Sequence, residues 1–222
     1  MKSYIIAIDG PAASGKSTLA SLLADELGIV AVNSGLFYRA FTWAVLEAKI
    51  SPSAEQEIKA LVASLELAVT FHKNHIQLAI RGNERPLDLR SGKVNATVAT
   101  VSAHPFVRDR VNRELQHLAA HGPCIVEGRD IGTAVFPDTP FKLFLDAPIQ
   151  IREKRRLAQG EADDIAARDA ADTNRAMSPL QSAADAAVIT VADKSPAEVL
   201  AAALRLLEER GMRTARQSCD FK

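Results

Sequence analysis

A short loop near the N-terminus carries residue types and a spacing that suit phosphate binding. It fits the pattern G-x-x-x-x-G-K-[ST] without a mismatch. Glycine lets such a loop turn its backbone N–H groups toward phosphate oxygens, and the N-terminus of a following helix adds the positive end of its dipole. Lys16 can then reach the β- and γ-phosphates, while the Ser17 hydroxyl can ligate Mg²⁺. The motif predicts a nucleoside triphosphate site formed by Gly10, Pro11, Ala12, Ala13, Ser14, Gly15, Lys16 and Ser17.

The segments on either side of the loop are those that such a site requires. Ile5, Ile6 and Ile8 indicate a short buried strand that ends at Gly10. Leucines at helical spacing follow the loop, and Gly28 lies where the C-cap glycine of a helix is expected. Because the motif lies between a strand and a helix, a glycine-rich turn that matches by chance is the weaker interpretation.

The rest of the chain mostly alternates between apolar strands and amphipathic helices. Four further strands are predicted, at 29–32, 124–127, 142–146 and 187–191. With the first strand they give five, and near-continuous apolar strands separated by helices are typical of a parallel sheet covered on both faces. A β-hairpin predicted at 67–80 interrupts this alternation, so we interpret about 37–105 as an inserted, mobile substrate domain.

Composition restricts the classes to which the chain can belong. Its 222 residues suffice for one α/β core with insertions, and Lys+Arg and Asp+Glu are both 27, which gives a formal net charge of zero. A chain without a basic excess is a poor candidate for a general nucleic-acid or membrane-surface binder. Its two cysteines suit a reducing compartment, and no segment approaches the roughly 20 apolar residues of a membrane span. We expect a cytoplasmic protein whose partners include neither nucleic acid nor membrane.

Polar residues with further chemistry follow the ends of the predicted strands. Asn33 to Arg39 follow the second strand and Gly128 to Thr133 the third, at the sheet edge where ligands bind in open α/β folds. Arginines near that edge could offset the repulsion between two phosphates, and the charge that spreads over a transferred phosphoryl group in the transition state. The arginines in or beside loops are Arg39, Arg108, Arg129, Arg168 and Arg175.

Some of these side chains also have a purely structural interpretation. Arg152, Arg155 and Arg156 lie at helical spacing and can be either a solvated helix face or part of the site. Arg168 can form a surface ion pair with an acid one helical turn earlier. Asp130 can cap a turn. The sequence alone leaves both interpretations open for each of them.

Five segments taken together resemble the bacterial cytidylate kinases, which are nucleoside monophosphate kinases of the phosphate-loop class. They are I-D-G-P-A-A-S-G-K-S-T from Ile8, N-S-G-L-F-Y-R from Asn33, H-P-F-V-R ending at Arg108, G-R-D-I-G-T from Gly128 and D-T-N-R from Asp172. The likeness extends from about 4 to 210. It implies an α/β core with a five-stranded parallel sheet, a monophosphate-binding insert and a lid. The implied boundaries are 1–36, 106–157 and 176–210 for the core, about 37–105 for the insert, about 158–175 for the lid and 211–222 for a tail.

The resemblance also implies an activity, a cofactor and a set of site residues. The activity is ATP-dependent phosphorylation of CMP and dCMP to CDP and dCDP by direct in-line transfer, in a monomer of pyrimidine nucleotide metabolism. The loop from Gly10 to Thr18 would bind ATP, with Mg²⁺ near Ser17 mostly through water and ATP. The residues implied in catalysis are Lys16, Arg129, Arg168 and Arg175. Those implied around CMP are Ser34, Arg39, Arg108, Arg129, Asp130, Asp172 and Arg175.

The implied base contact has a physical basis. Cytosine offers an exocyclic amino donor that the carboxylate of Asp130 can accept, whereas uracil presents an oxygen there.

Three features depart from the family pattern. An aspartate is usual where this chain has Asn33, a serine is usual at Ala99, and the lid is shorter than in many relatives. Asn33 keeps an acceptor oxygen without the charge, and Ala99 lacks a hydrogen bond to the base.

Three other functions share part of the pattern. A shikimate-type kinase would carry an acidic pair where this chain has Asn33 and Ser34. A GTPase-like switch would need a guanine-reading N-K-x-D, which the sequence does not contain. A nucleotide-binding regulatory module without turnover is disfavoured by the set of arginines.

Overall fold

The computed structural model describes residues 4–83, 85–158, 165–175, 178–192 and 194–212, with Arg168 described by its backbone alone. Within these residues the chain forms strands and helices around one sheet. The strands are β1 Ile5–Asp9, β2 Val30–Asn33, β3 Leu67–His72, β4 His75–Ile80, β5 Cys124–Glu127, β6 Phe141–Asp146 and β7 Ala187–Thr190. The helices are α1 Lys16–Leu27, α2 Ser34–Glu47, α3 Glu55–Ser64, α4 Gly92–Ala103, α5 Pro105–Ala119, α6 Ile149–Ala158, α7 Ile165–Thr173 and α8 Pro196–Glu209, with a π-helical turn at Ile131–Val135.

Among the described residues the sheet has seven strands, in the order β3-β4-β2-β5-β1-β6-β7, so the predicted count of five is wrong. The five predicted parallel strands are all present, and the hairpin β3–β4 extends the sheet beyond β2. The junction is short: Ala31 pairs with His75, and the N–H of Ala31 donates to the carbonyl of Asn74 at 2.8 Å. Because β2 would otherwise be an edge strand with unpaired N–H and C=O groups, the hairpin covers a surface that favours strand addition.

Helices cover both faces of the sheet, as the apolar strands predict. On one face, Phe37 and Phe41 of α2 and Val107 of α5 pack over strand residues such as Val126. On the other face, α1 and α8 pack over side chains that include Ile6. Each central strand therefore buries both of its faces, which explains its near-continuous apolar sequence.

Two helix ends show how local sequence fixes these elements. Gly28 ends α1 in the left-handed conformation at φ 64°, where glycine has no steric penalty. Ser195 begins α8 with a capping box, in which its hydroxyl accepts from the N–H of Glu198 while the Glu198 carboxylate accepts from the N–H of Ser195. In the part of the chain that the structure describes, no helix is long and apolar enough to cross a membrane.

Two predicted segments lie partly beyond the described residues. The predicted lid at about 158–175 contributes α7 to the structure, while 159–164 lie outside the described residues. Of the predicted tail at 211–222, only Gly211 and Met212 are described. The described part of α7 returns to the carboxyl edge of the sheet, because Asp169 accepts a hydrogen bond from the N–H of Ala12 at 3.2 Å.

Candidate active site

A cleft of about 1260 Å³ opens at the carboxyl edge of the sheet. This edge is where ligands bind in open parallel sheets, and the predicted residues that line the cleft come from five separate stretches of the chain. The predicted residues that line it are Ala12, Ala13, Ser14, Gly15, Lys16, Ser17, Thr18, Ser34, Arg39, Arg108, Arg129, Asp130, Asp172 and Arg175. Gly10 and Pro11 are buried and do not line the cleft, and the side chain of Arg168 lies outside the described residues. The individual binding roles of these residues stay predictions.

The loop after β1 has the backbone that its glycines predict. Gly10 adopts φ 149°, and a Cβ atom there would stand 2.3 Å from the carbonyl oxygen of Leu145. Gly15 adopts φ 102° immediately before α1. Any larger residue at Gly10 would have to displace the backbone of β6, so this position requires glycine for close approach as well as for its dihedral angle. The loop therefore packs against β6 at Gly10 and leads directly into α1 at Gly15.

Lys16 is folded across its own loop. Its Nζ donates to the carbonyl of Pro11 at 2.6 Å, and only 6% of the residue is exposed. Burial, together with the nearby guanidinium of Arg129, lowers the pKa of Lys16 to about 7, although the carboxylates of Glu127, Asp9 and Asp172 act in the opposite direction. A polyphosphate in the cleft would add negative charge near Lys16 and so favour its protonated form.

ATP binding is therefore expected to be coupled to proton uptake at Lys16. With its pKa lowered to about 7, the amine is largely neutral above that pH, and phosphate oxygens favour its charged form. At about pH 8 we expect uptake of up to about one proton, falling toward zero near pH 6 where Lys16 is already charged. Titration calorimetry in buffers of different ionisation enthalpy measures this number. A binding enthalpy independent of the buffer at about pH 8 would contradict the coupling.

Two arginines of α6 donate hydrogen bonds to the phosphate loop. The sequence alone allowed them to be either a solvated helix face or part of the site. Arg152 is buried; it donates to the carbonyls of Ala147 at 2.8 Å and Ala12 at 3.2 Å, and forms an ion pair with Asp169. Arg155 donates to the carbonyl of Ser14 at 3.2 Å. The solvated-face interpretation is therefore wrong for Arg152, and α6, α7 and the phosphate loop are joined through its guanidinium.

The opposite part of the cleft contains a buried ion pair. Arg108 of α5 donates to Oδ2 of Asp130 at 2.6 Å, and their side chains are 4% and 7% exposed. The Arg108 guanidinium also lies over the ring of Tyr38, 5.6 Å from its centroid. Burial raises the pKa of Tyr38 to about 12, so its hydroxyl stays protonated. This arrangement holds a carboxylate in a fixed orientation, beside an aromatic ring, in a water-poor pocket.

A second group of charges connects the loop after β5 to the end of α7 and the residues just after it. Arg129 donates through Nε to Asp172 at 2.8 Å, and Arg175 pairs with the other oxygen of the same carboxylate. On the side of the insert, Arg39 donates to the carbonyl of Leu89 at 2.8 Å and to the amide oxygen of Asn95 at 2.6 Å. Three predicted arginines are thus directed by polar partners into one cleft.

Sequence reasoning missed two buried acidic residues at the ends of strands, of which Glu127 lines the cleft and Asp9 does not. Glu127 ends β5, is buried, and accepts from Nδ2 of Asn33 at 2.8 Å, while its backbone carbonyl accepts from the hydroxyl of Ser34 at the same distance. Asp9 ends β1 in the same way and is also buried. Both had a signal in the sequence, since each is a lone charge at the end of an otherwise apolar strand.

The fold and the site together define a class of protein. A phosphate-binding loop after an interior strand of a mostly parallel sheet, facing paired arginines and carboxylates across one cleft, is the architecture of the P-loop kinases. A crystal structure of a Thermus thermophilus protein matches the fold with a TM-score of 0.50 at 22% identity, over 96% of this chain and 100% of that one.

Sequence comparison narrows the class to one family. The family model described as cytidylate kinase matches residues 6–209 of this chain. A cytidylate kinase of Halalkalibacterium halodurans is 35% identical over 95% of this chain and 100% of its own length. Another, from Mycolicibacterium paratuberculosis, is 38% identical over 88% of this chain and 91% of its own length. The chain belongs to the cytidylate kinase family, as its motifs indicate.

Proposed function

We propose that this protein transfers the γ-phosphoryl group of ATP to CMP and dCMP, giving ADP with CDP or dCDP. Membership of the cytidylate kinase family supports this reaction. The observation that carries the proposal from the structure is the position of the Arg108–Asp130 pair, which shares one cleft with the phosphate loop. That arrangement suits two nucleotides whose phosphates meet between them.

On the donor side, the chain's task is to position a polyphosphate and neutralise it. The N–H groups of the loop and the N-terminus of α1 favour phosphate oxygens, and Lys16 lies close enough to exchange its Pro11 partner for one of them. The nucleophile is an oxygen of the acceptor phosphate, so no side-chain nucleophile is required. The oxygen forms a bond to the γ-phosphorus as the bond to the β–γ bridging oxygen breaks.

On the acceptor side, the cleft divides into a base region and a phosphate region. Asp130 accepts the exocyclic amine of cytosine, and Arg108 keeps that carboxylate oriented. Ser34, Arg39 and Arg129 surround the acceptor phosphate, where positive charge offsets the repulsion from ATP. Asp172 joins the site from the end of α7 and Arg175 from just after it, so lid closure would complete the site and exclude water.

Mg²⁺ is proposed as the cofactor, and the residues present fit it. The Ser17 hydroxyl is exposed in the cleft and is a hard oxygen donor of the kind that Mg²⁺ takes. Among the described residues, His, Cys, Asp and Glu form no cluster of three that could hold a metal by themselves. This suits an ion bound mainly through phosphates and water, which supplies neutralisation of the phosphate charge.

We propose that the protein acts as a monomer in which the phosphate loop and the Arg108–Asp130 pair of the same chain share one cleft. Its substrates would be the small nucleotides of the cytoplasm. Sedimentation with and without ATP would report a change to a dimer, which is the outcome that the monomer proposal does not allow.

Release of ADP from Mg²⁺·ATP with a single acceptor tests the function. We expect strong turnover with CMP and dCMP, weak turnover with UMP, and none with AMP or shikimate, because only cytosine offers Asp130 an amine in the required place. Equal turnover with CMP and UMP would show that the base pocket does not discriminate. Turnover with shikimate alone would contradict the proposal that CMP and dCMP are the acceptors. No turnover with any acceptor would favour a nucleotide-binding regulatory module.

A further inference from the structure

Asp9 is a buried carboxylate that the predicted roles leave unused. It ends β1, and only 4% of the residue is exposed. Its Oδ1 accepts from the N–H of Ile131 at 2.8 Å, and its Oδ2 accepts from the N–H of Gly132 at 2.7 Å. These two N–H groups begin the π-helical turn Ile131–Val135, immediately after Arg129 and Asp130.

The contact between Asp9 and this turn is specific in shape. Two adjacent N–H groups are matched by two carboxylate oxygens, so an isosteric amide could satisfy only one of them. A Cβ atom at Gly132 would lie 3.3 Å from Oδ2 of Asp9 and 3.2 Å from Cδ of Lys142, so the turn passes closely over the carboxylate. π-Helical turns are rare overall, but those that do occur are often found at functional sites. The contact with Asp9 is the tertiary interaction that holds this one.

The same turn fixes the orientation of Asp130. The backbone carbonyl of Asp130 accepts from the N–H groups of Ala134 at 2.9 Å and Val135 at 3.3 Å, while its side chain pairs with Arg108. Displacement of the turn would therefore move the carboxylate proposed to contact the base. It would also move Arg129, the residue directly before Asp130.

We propose that Asp9 is a positioning residue for the acceptor nucleotide, because it ties the turn that presents Arg129 and Asp130 to the strand that presents the phosphate loop. The inference rests on the proposed function. Gly10 follows Asp9 directly, so one short segment supports the donor loop and anchors the acceptor site. Asp9 thereby fixes the position of the acceptor site relative to the phosphate loop without contacting either nucleotide.

The protonation state of Asp9 gives the inference a second readout. Burial, together with the nearby carboxylate of Asp130, raises the pKa of Asp9 to about 6, although the two N–H groups and Lys16 oppose the rise. The charged groups that face it are thus Asp130 from the turn and Lys16 from α1, and the aliphatic part of Lys142 packs beside them. Below about pH 6 one oxygen gains a proton and can no longer accept in the same way.

The test is a comparison of KM values for CMP and ATP in wild type and Asp9→Asn. We expect the KM for CMP to rise roughly tenfold, because the turn spends less time in the competent arrangement, while the KM for ATP changes by less than about twofold. Ile58→Ala serves as the matched control, since Ile58 is fully buried in α3 and does not line the cleft. It should lower thermal stability and leave the two KM values in their wild-type ratio.

The pH profile separates positioning from a general loss of structure. The ratio of the CMP KM in Asp9→Asn to that in wild type should be largest at about pH 8 and approach one below about pH 6, where wild-type Asp9 is itself protonated. Taking the ratio cancels ionisation of the CMP phosphate, which is common to both proteins. Asp9→Glu, which retains the charge on a longer side chain, should also raise the KM for CMP.

The outcomes are distinguishable. An unchanged CMP KM in Asp9→Asn would overturn the inference, as would equal increases in both KM values or a ratio that does not vary with pH. A wild-type protein that fails to phosphorylate CMP would overturn the proposed function and this inference together, before any variant is compared.

Discussion

Replacing Lys16 with methionine is expected to lower kcat by about 10²–10³, the range typical of losing one preorganised group that stabilises transition-state charge. Lys16 lies at the start of α1 with its ammonium turned over the phosphate loop, 2.6 Å from the carbonyl of Pro11. Methionine retains most of the buried aliphatic chain and removes the charge. The fold should tolerate this, because burial already lowers the pKa of Lys16 to about 7 and so penalises its charged form. Single-turnover transfer from ATP to CMP measures the effect on the chemical step.

Lys142 provides a matched control for Lys16. Lys142 is also buried, but its ammonium pairs with Asp185 and the carbonyl of Pro137, and it does not line the cleft. Lys142→Met should change thermal stability with kcat close to the wild-type value. Wild-type turnover in Lys16→Met, or an equal loss in both variants, would contradict the catalytic role of Lys16.

The parts of the fold that sequence predicted best are those set by local composition. β5 was predicted at its observed bounds, because a strand buried on both faces must be apolar throughout. The helix α4 was missed: its apolar positions are valines, which are weak helix formers and are also common in strands. The place of the hairpin in the sheet was missed as well, since it depends on a single residue pair, Ala31 with His75, far apart in the chain.

The same distinction applies to the site. The phosphate loop could be predicted because its mechanism requires consecutive residues in one order. The partners of the predicted side chains could not, because Asp9 contacts a turn 122 residues away and Arg152 contacts a loop 140 residues away. Nothing in the local sequence of G-R-D-I-G-T indicates a π-helical turn, whose geometry accompanies the carboxylate beneath it. Motifs predicted which residues meet, and tertiary contacts decide how they are oriented.

Asp130→Asn should reduce the preference for cytosine over uracil by about 10²–10³, because it removes a buried charge that both accepts the base amine and pairs with Arg108. The asparagine oxygen can still accept from Arg108, and its NH₂ group can donate to the oxygen that uracil carries in place of the amine. We therefore expect kcat/KM for CMP to fall steeply and that for UMP to stay level or rise. Competition assays with both acceptors in one mixture measure the ratio directly.

Asp172→Asn is the control that separates base recognition from the loss of any buried carboxylate. Asp172 is buried to a similar extent and is also paired with arginines, but its partners are Arg129 and Arg175, of which Arg129 is assigned to the acceptor phosphate rather than to the base. Its replacement should lower kcat/KM for CMP and UMP by the same factor, because both acceptors carry the same phosphate. A wild-type CMP to UMP ratio in Asp130→Asn would remove Asp130 from base recognition. A shift of that ratio in Asp172→Asn alone would assign base recognition to the end of α7.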